Sequence, residues 1–406
     1  MFTELSKKRV KKIVLNPLVQ LLLVVLLTST CYSLVSSDVI RFFLTISINL
    51  RELLIFILPF LLFSFVAVAL SAIPKEGMFF VLGLMLMVCL SNFCNVLISG
   101  TVGFFLLSGF QTHDIVETTT VFSPFFSINL YKFSTSYALI FGVCVGLFNS
   151  FHPQKYVSLV INCLHTWVLI FMKRFFIPLL PIFVGGFLLK LFAEGKMMGF
   201  ISQNALISIL MCGFLVLYLY LWLLVAAKFR SVRVLEILQN AAPAIVTAFS
   251  TMSSAAALPM SLEAAEKNTK DKMLADAVMP LTLNFHMVGD TIIVPIMAML
   301  VMVSLNHPLP SSWEFIMFGM FFVLNKFAGG GVPSGTIMVT IPALREYLGF
   351  DDSMIAFIIA FYGIVDPVAT AGNVAANNFF VIIFQRIRAV TKKIFRRTEK
   401  NRTQSP

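Results

Sequence analysis

Residues 355–384 read Ile355-Ala-Phe-Ile-Ile-Ala-Phe-Tyr-Gly-Ile-Val-Asp366-Pro367-Val-Ala369-Thr370-Ala-Gly-Asn373-Val-Ala-Ala-Asn377-Asn-Phe-Phe-Val-Ile-Ile-Phe384. The run exceeds the ~20 apolar residues that a helix needs to cross a bilayer. Yet it carries Asp366, Thr370, Asn373 and Asn377, spaced i, i+4, i+7 and i+11, which on a helix form one polar stripe. A stripe of Thr and Asn alone could glue two helices together. Asp366 points further, because a carboxylate inside hydrocarbon is costly unless it faces a protein interior, a partner or an ion. Pro367 removes a backbone donor and is expected to bias Asp366 away from helical geometry.

The surrounding chain is of the same kind. Of its 406 residues, 59% are hydrophobic and only 12% are charged, and mean hydropathy is +0.93. A soluble protein of this length carries far more charge, so the expected fold class is an all-α polytopic membrane protein. The net charge of +11 sits in the tails. Five Lys and Arg residues against Glu4 give residues 1–12 a charge of +4, and eight against Glu399 give residues 386–406 a charge of +7. Basic tails beside spans mark the cytoplasmic side and anionic lipid rather than nucleic acid. The apolar run 13–35 is long for a signal peptide and reads as the first span. The six cysteines lie in or beside apolar stretches without metal-ligand spacing, and read as reduced packing residues.

Candidate spans are 13–35, 47–73, 78–109, 133–149, 155–194, 200–227, 274–304 and 354–385. The fifth is too long for one straight crossing, and a break is expected near Lys173-Arg174. Two more apolar segments, about 236–262 and 314–344, are interrupted by Ser250-Thr251-Met252-Ser253-Ser254 and by Gly329-Gly330-Gly331-Val332-Pro333-Ser334-Gly335. They read as re-entrant hairpins with tips near Pro259 and Pro333. Eight spans plus two hairpins keep both termini and the basic residues Lys228, Arg230, Arg233, Lys267, Lys270 and Lys272 inside, while the outer loops hold only Arg345 as a basic residue. Each hairpin precedes a span with polar interruptions, Asn284 to Asp290 and then Asp366 to Asn377. The two units enter from opposite sides, as inverted repeats do in transporters.

With Arg51 to Ile73, Ala248 to Pro259, Gly331-Val332-Pro333, and Val365-Asp366 through Gly372-Asn373-Val374 in this order, the chain resembles the dicarboxylate/amino acid:cation symporters, which include the glutamate transporters. The resemblance covers nearly the whole chain. It implies a homotrimer in the plasma (bacterial inner) membrane, with residues 13–385 forming one transporter unit between the basic tails. A scaffold (about 13–73 and 133–194) would hold a mobile part (about 78–109 and 200–385) that moves as an elevator. It also implies that Ser253, Ser254, Val332 and Asn373 meet a solute carboxylate, and that Asp366 with Thr370 meets its amino group. Broken-helix N-termini suit a carboxylate and an anion suits an ammonium.

The departures narrow this. The family motif Asn-Met-Asp-Gly-Thr reads His286-Met287-Val288-Gly289-Asp290 here. The arginine that clamps an acidic side chain is Ala369, a sodium-binding aspartate is Asn377, and a serine at a sodium site is Lys326. Asn284 and Thr282 stand where the family contributes sodium-facing backbone. The expected solute is therefore an amino acid or related carboxylate without an acidic side chain, with no cofactor. Coupling is to sodium and/or protons, with His286, Asp290, Lys326, Asn373 and Asn377 as coupling-ion residues; of these, Asn373 and Asn377 are the candidate sodium ligands. A lysine, a histidine and two carboxylates could also satisfy one another. Alternatives are a dicarboxylate symporter using Lys326 as its clamp, a channel, or a receptor that binds without transport. No nucleophile-base pair, HExxH or phosphate loop favours an enzyme.

Overall fold

The computed structural model describes residues 17–71, 78–108, 122–131, 133, 135–171, 174–175, 177–329 and 335–402. The N-terminal tail, Val332, Pro333 and Ser334 lie outside them. Among the described residues all regular structure is helical. In hydrocarbon a helix satisfies its backbone polar groups within one segment. We number the helices α1 (Pro17–Cys31), α2 (Ser37–Ser71), α3 (Met78–Leu107), α4 (Thr135–Phe151), α5 (Lys155–Phe171), α6 (Ile177–Ala193) and α7 (Lys196–Ala227). There follow α8 (Ser231–Thr251), α9 (Ser254–Thr269), α10 (Lys272–Phe285), α11 (Val288–Ser304), α12 (Ser312–Gly329), α13 (Gly335–Leu348) and α14 (Asp352–Arg402).

The helices pack in two sets. α2 lies against α4, α5 and α6, and α1 lies against α6. Gly142 and Gly146 of α4 meet the α2 backbone at Phe63 and Ala67, where small residues let two helices approach closely. The extended stretch after residue 121 is tied to α2: Phe125 N–H donates to Thr45 Oγ1 at 2.9 Å and Ile128 N–H to Asn49 Oδ1 at 2.7 Å. In the second set α11 packs on α3 and α14, and α14 also on α7, α8 and α9. α11 is apolar on all sides and buried at every residue except Val303, as a central helix must be. α7 instead exposes Leu206, Ile209, Val216, Leu217 and Leu221, a face that lipid would cover.

Both interrupted segments fold as helical pairs. α8 and α9 turn at Met252-Ser253, with Met252 left-handed at φ 50°, and Ser253 caps α9 by accepting from Ala256 N–H at 3.4 Å. The expected tip near Pro259 is thus displaced: Pro259 lies inside α9. α12 and α13 run antiparallel, joined by Asn325 Nδ2 donating to Val339 O at 3.1 Å and by the stacked Phe321 and Tyr347 rings. In the fifth segment α5 runs to Phe171, Arg174 and Phe175 are π-helical, and α6 starts at Ile177; Lys173, beside which a break was expected, lies outside the described residues.

Pro367 corrects another expectation. α14 continues through it without interruption, and Asp366 remains helical. Packing against α7, α8, α9 and α11 offsets the hydrogen bond that the proline removes. α10 and α11 form the discontinuous element. His286 (φ −92°, ψ 91°) and Met287 (φ −112°, ψ 69°) leave helical geometry between them.

Candidate functional site

The α10–α11 break is bridged by an amide that the sequence reading did not single out. Asn92 of α3 donates from Nδ2 to Phe285 O at 2.7 Å and accepts from Met287 N–H at 3.2 Å through Oδ1. One buried side chain thereby bonds both a carbonyl at a helix end and an N–H at a helix start. Asparagine within an apolar span was the available signal.

The break aims the first turn of α11 at α14. Gly289 lies so close to Ala369 that a Cβ there would collide with the Ala369 carbonyl oxygen, and its Cα abuts Gly372. This approach places Asp290 beside Asn373. Asn373 Oδ1 accepts from the Asp290 N–H at 3.2 Å, and its Nδ2 donates to Asp290 Oδ2 at 3.1 Å. Tyr362 Oη donates to Asp290 Oδ1 at 2.6 Å, a length typical of a charge-assisted bond, and Thr336 Oγ1 donates to Oδ2 at 2.9 Å. Donors from two other helices, α13 and α14, thus converge on one carboxylate that is only 1% exposed.

Lys326 supplies the counter-charge. Its Nζ is 3.6 Å from Asp290 Oδ2 and 4.1 Å from the Phe322 ring centroid, a cation–π distance. The residue is 0% exposed, so it does not snorkel. Its ammonium has no hydrogen-bond partner among the described residues. Asp366, also buried, accepts from Thr370 Oγ1 at 2.9 Å, and its charge acts on both Lys326 and Tyr362.

His286 does not join this group. The i, i+4 relation to Asp290 holds only on a continuous helix, and the break turns the imidazole elsewhere. Asn377 Nδ2 donates to His286 O at 2.9 Å and to Asn373 O at 2.8 Å, so its Oδ1 accepts from His286 Nδ1 at 3.1 Å. Nε2 faces Ser91 Oγ at 2.9 Å, and the ring packs on Phe380 and Trp222. A neutral imidazole with its proton on Nδ1 completes this set. Of the expected set of histidine, lysine and two carboxylates, Lys326 pairs with Asp290, whereas the His286 ring bonds Asn377 and Ser91.

The other expected residues are placed as follows. Ser254 is buried at the start of α9, Ser253 caps that helix, and Ala369 is fully buried against α11. Val332 lies outside the described residues. Asn373 and Asn377, the candidate sodium ligands, already use their side-chain oxygens as acceptors. Among the described residues no three His, Cys, Asp or Glu side chains form a metal-sized group. Tyr362 and Thr336 were missed. Tyr362 lies four residues before Asp366 and so extends the same stripe, which was the signal.

Comparison with known proteins bears on this arrangement. The pattern that defines the sodium:dicarboxylate symporter family matches residues 12–387. The chain is 25% identical over 172 residues to the "Proton/sodium-glutamate symport protein" of Geobacillus stearothermophilus, covering 42% of this chain and 40% of that one. It is also 25% identical over 147 residues to the "Putative sodium-dependent excitatory amino acid transporter glt-4" of Caenorhabditis elegans, covering 36% and 29%. The matched stretches thus span less than half the length of these relatives.

Proposed function

The chain belongs to the sodium:dicarboxylate symporter family, and from that premise we propose that it is a secondary active symporter for an amino acid or related carboxylate solute without an acidic side chain. The observation that carries this reading is the Asp290 cluster. Where an acidic side chain would need a free cation, Ala369 offers a methyl group, and the nearby Lys326 is matched by Asp290. A solute carboxylate buried there without a partner would be strongly disfavoured. Asp290 is itself held by Tyr362, Thr336 and Asn373, which favours small neutral solutes over cationic ones.

In this reading Asp366, steadied by Thr370, receives the solute ammonium. Ser253, Ser254, Val332 and Asn373 receive its carboxylate at the two hairpin tips. The hairpins re-enter the membrane from opposite faces, and the second helix set moves against the first as an elevator within a homotrimer. Packing within each set supports this division. Both termini face the cytoplasm of a bacterial inner membrane. Sodium and/or protons drive transport, and Lys326 replaces one bound cation, since an ammonium and a sodium ion close together in low dielectric repel.

Competition for uptake into proteoliposomes tests the solute class: alanine, serine and threonine should compete, and aspartate and glutamate should not. The Lys326 ammonium, without a hydrogen bond, favours a second reading in which it turns to clamp an acidic side chain. Aspartate or glutamate outcompeting the neutral solutes by roughly tenfold, a difference of about 1.4 kcal/mol, would establish that reading and overturn the first.

A further inference from the structure

Away from the Asp290 cluster, the ends of α7 and α9, the start of α8 and the α14 residues near Gln385 enclose a pocket of about 400 Å³. Lys228, Arg230, Arg233, Lys270 and Arg386 line it. Among the described residues, Arg233 alone of these five pairs with a carboxylate, that of Glu236 at 2.7 Å. Two of the cations are built into the frame. Arg386 donates to the Val225 and Ala226 carbonyls, and Arg233 Nη2 donates to Asn268 O at 2.5 Å.

Asn268 supplies an independent sign of a missing ligand. It lines the pocket and is 3% exposed. Its Oδ1 accepts from Asn240 Nδ2 at 2.8 Å, which leaves Nδ2 buried with no acceptor among the described residues. An unsatisfied buried donor is costly and asks for an oxygen from outside. The start of α8 adds backbone N–H groups, because its N-cap Arg230 makes no side-chain cap bond. Beside the pocket, Phe229, Val232 and Leu235 are exposed, as apolar residues at a membrane surface can be. Five cations and an orphan amide around one cavity match several acceptor oxygens carrying negative charge.

We propose that this pocket binds a phosphate group, carried by an anionic lipid headgroup or by a soluble phosphate. The exposed apolar residues favour the lipid. The full chain, in neutral detergent, is titrated with phosphatidylglycerol, phosphatidylcholine or inorganic phosphate at constant ionic strength, and thermal unfolding is followed. Phosphatidylglycerol should raise the midpoint saturably, and phosphatidylcholine should not. Saturable stabilisation by inorganic phosphate alone would assign the site to a soluble phosphate. Lys228 and Lys270 are exposed at left-handed helix ends (φ 54° and 55°), where asparagine is tolerated. Lys228→Asn with Lys270→Asn should raise the half-saturating concentration roughly thirtyfold, as expected for the loss of two cations near an anion. Should that variant unfold without ligand, Arg230→Gln, at an exposed position, gives the same comparison with an expected severalfold weakening. The proposal is overturned if neither phosphate source shifts the midpoint, or if the shift is the same in native and variant protein.

Discussion

Replacing Lys326 with methionine isolates the ion pair at the centre of the site. Methionine keeps much of the stem volume, so the change removes a charge without opening a large cavity. The ammonium lies 3.6 Å from Asp290 Oδ2, where an effective dielectric of about 20 gives roughly 4–5 kcal/mol of attraction. Asp290 would keep Tyr362, Thr336 and Asn373 as donors. The net loss should therefore be about 3 kcal/mol, the low end for a buried pair stripped of one partner. Asp290→Asn should cost about 3–5 kcal/mol, because Lys326 is left charged at 0% exposure. The double variant buries neither charge and should fall within about 1–2 kcal/mol of the native protein. Equilibrium unfolding in mixed micelles, in sodium-free choline buffer, measures all four corners of this cycle. A coupling above about 2 kcal/mol is expected, and additivity within about 0.5 kcal/mol would refute the pairing. Sodium added to Lys326→Met should restore part of the lost stability, because a ligand that binds only the folded state stabilises it. The native protein should respond less.

Gly289→Ala places a methyl group against the Ala369 carbonyl; it should lower stability by about 1–3 kcal/mol and reduce uptake. Gly83→Ala, with open space around it, should change neither. Asn92→Ala leaves Phe285 O and Met287 N–H without their partner, which should cost about 1–3 kcal/mol per orphaned group and lower the unfolding midpoint. Uptake driven by sodium alone or by protons alone, repeated with Lys326→Ser, tests the coupling. Full sodium dependence, no response to protons and no change in the variant would argue against Lys326 as a built-in cation. Cysteines at 253 and 334 should label from the inside and the outside respectively; labelling of both from one side in every state would contradict the hairpin topology.

How legible the site was in the sequence depended on helix continuity. The stripe Asp366, Thr370, Asn373 could be read directly because α14 is unbroken, and i, i+4 spacing then fixes a face. Lys326 stood out because a lysine beside a glycine-rich turn in an apolar segment has few places to go. The surroundings of His286 could not be read in this way, because the helix breaks between it and Asp290. Its neighbours Ser91, Asn377, Phe380 and Trp222 come from three other helices.

By itself the sequence determined the membrane class, the helical character of the chain, the interruption within Ser250–Ser254, and the family resemblance. Those properties rest on local apolar runs and on short polar or glycine clusters, which act within a few residues of themselves. Only the tertiary structure decided that Pro367 stays helical and that the first hairpin turns before Pro259. It also decided that Asp290 gathers Tyr362, Thr336, Asn373 and Lys326 while His286 does not join them. The reason is physical: two backbones meet at Gly289 and Ala369, and a contact between segments distant in sequence leaves no periodicity in either.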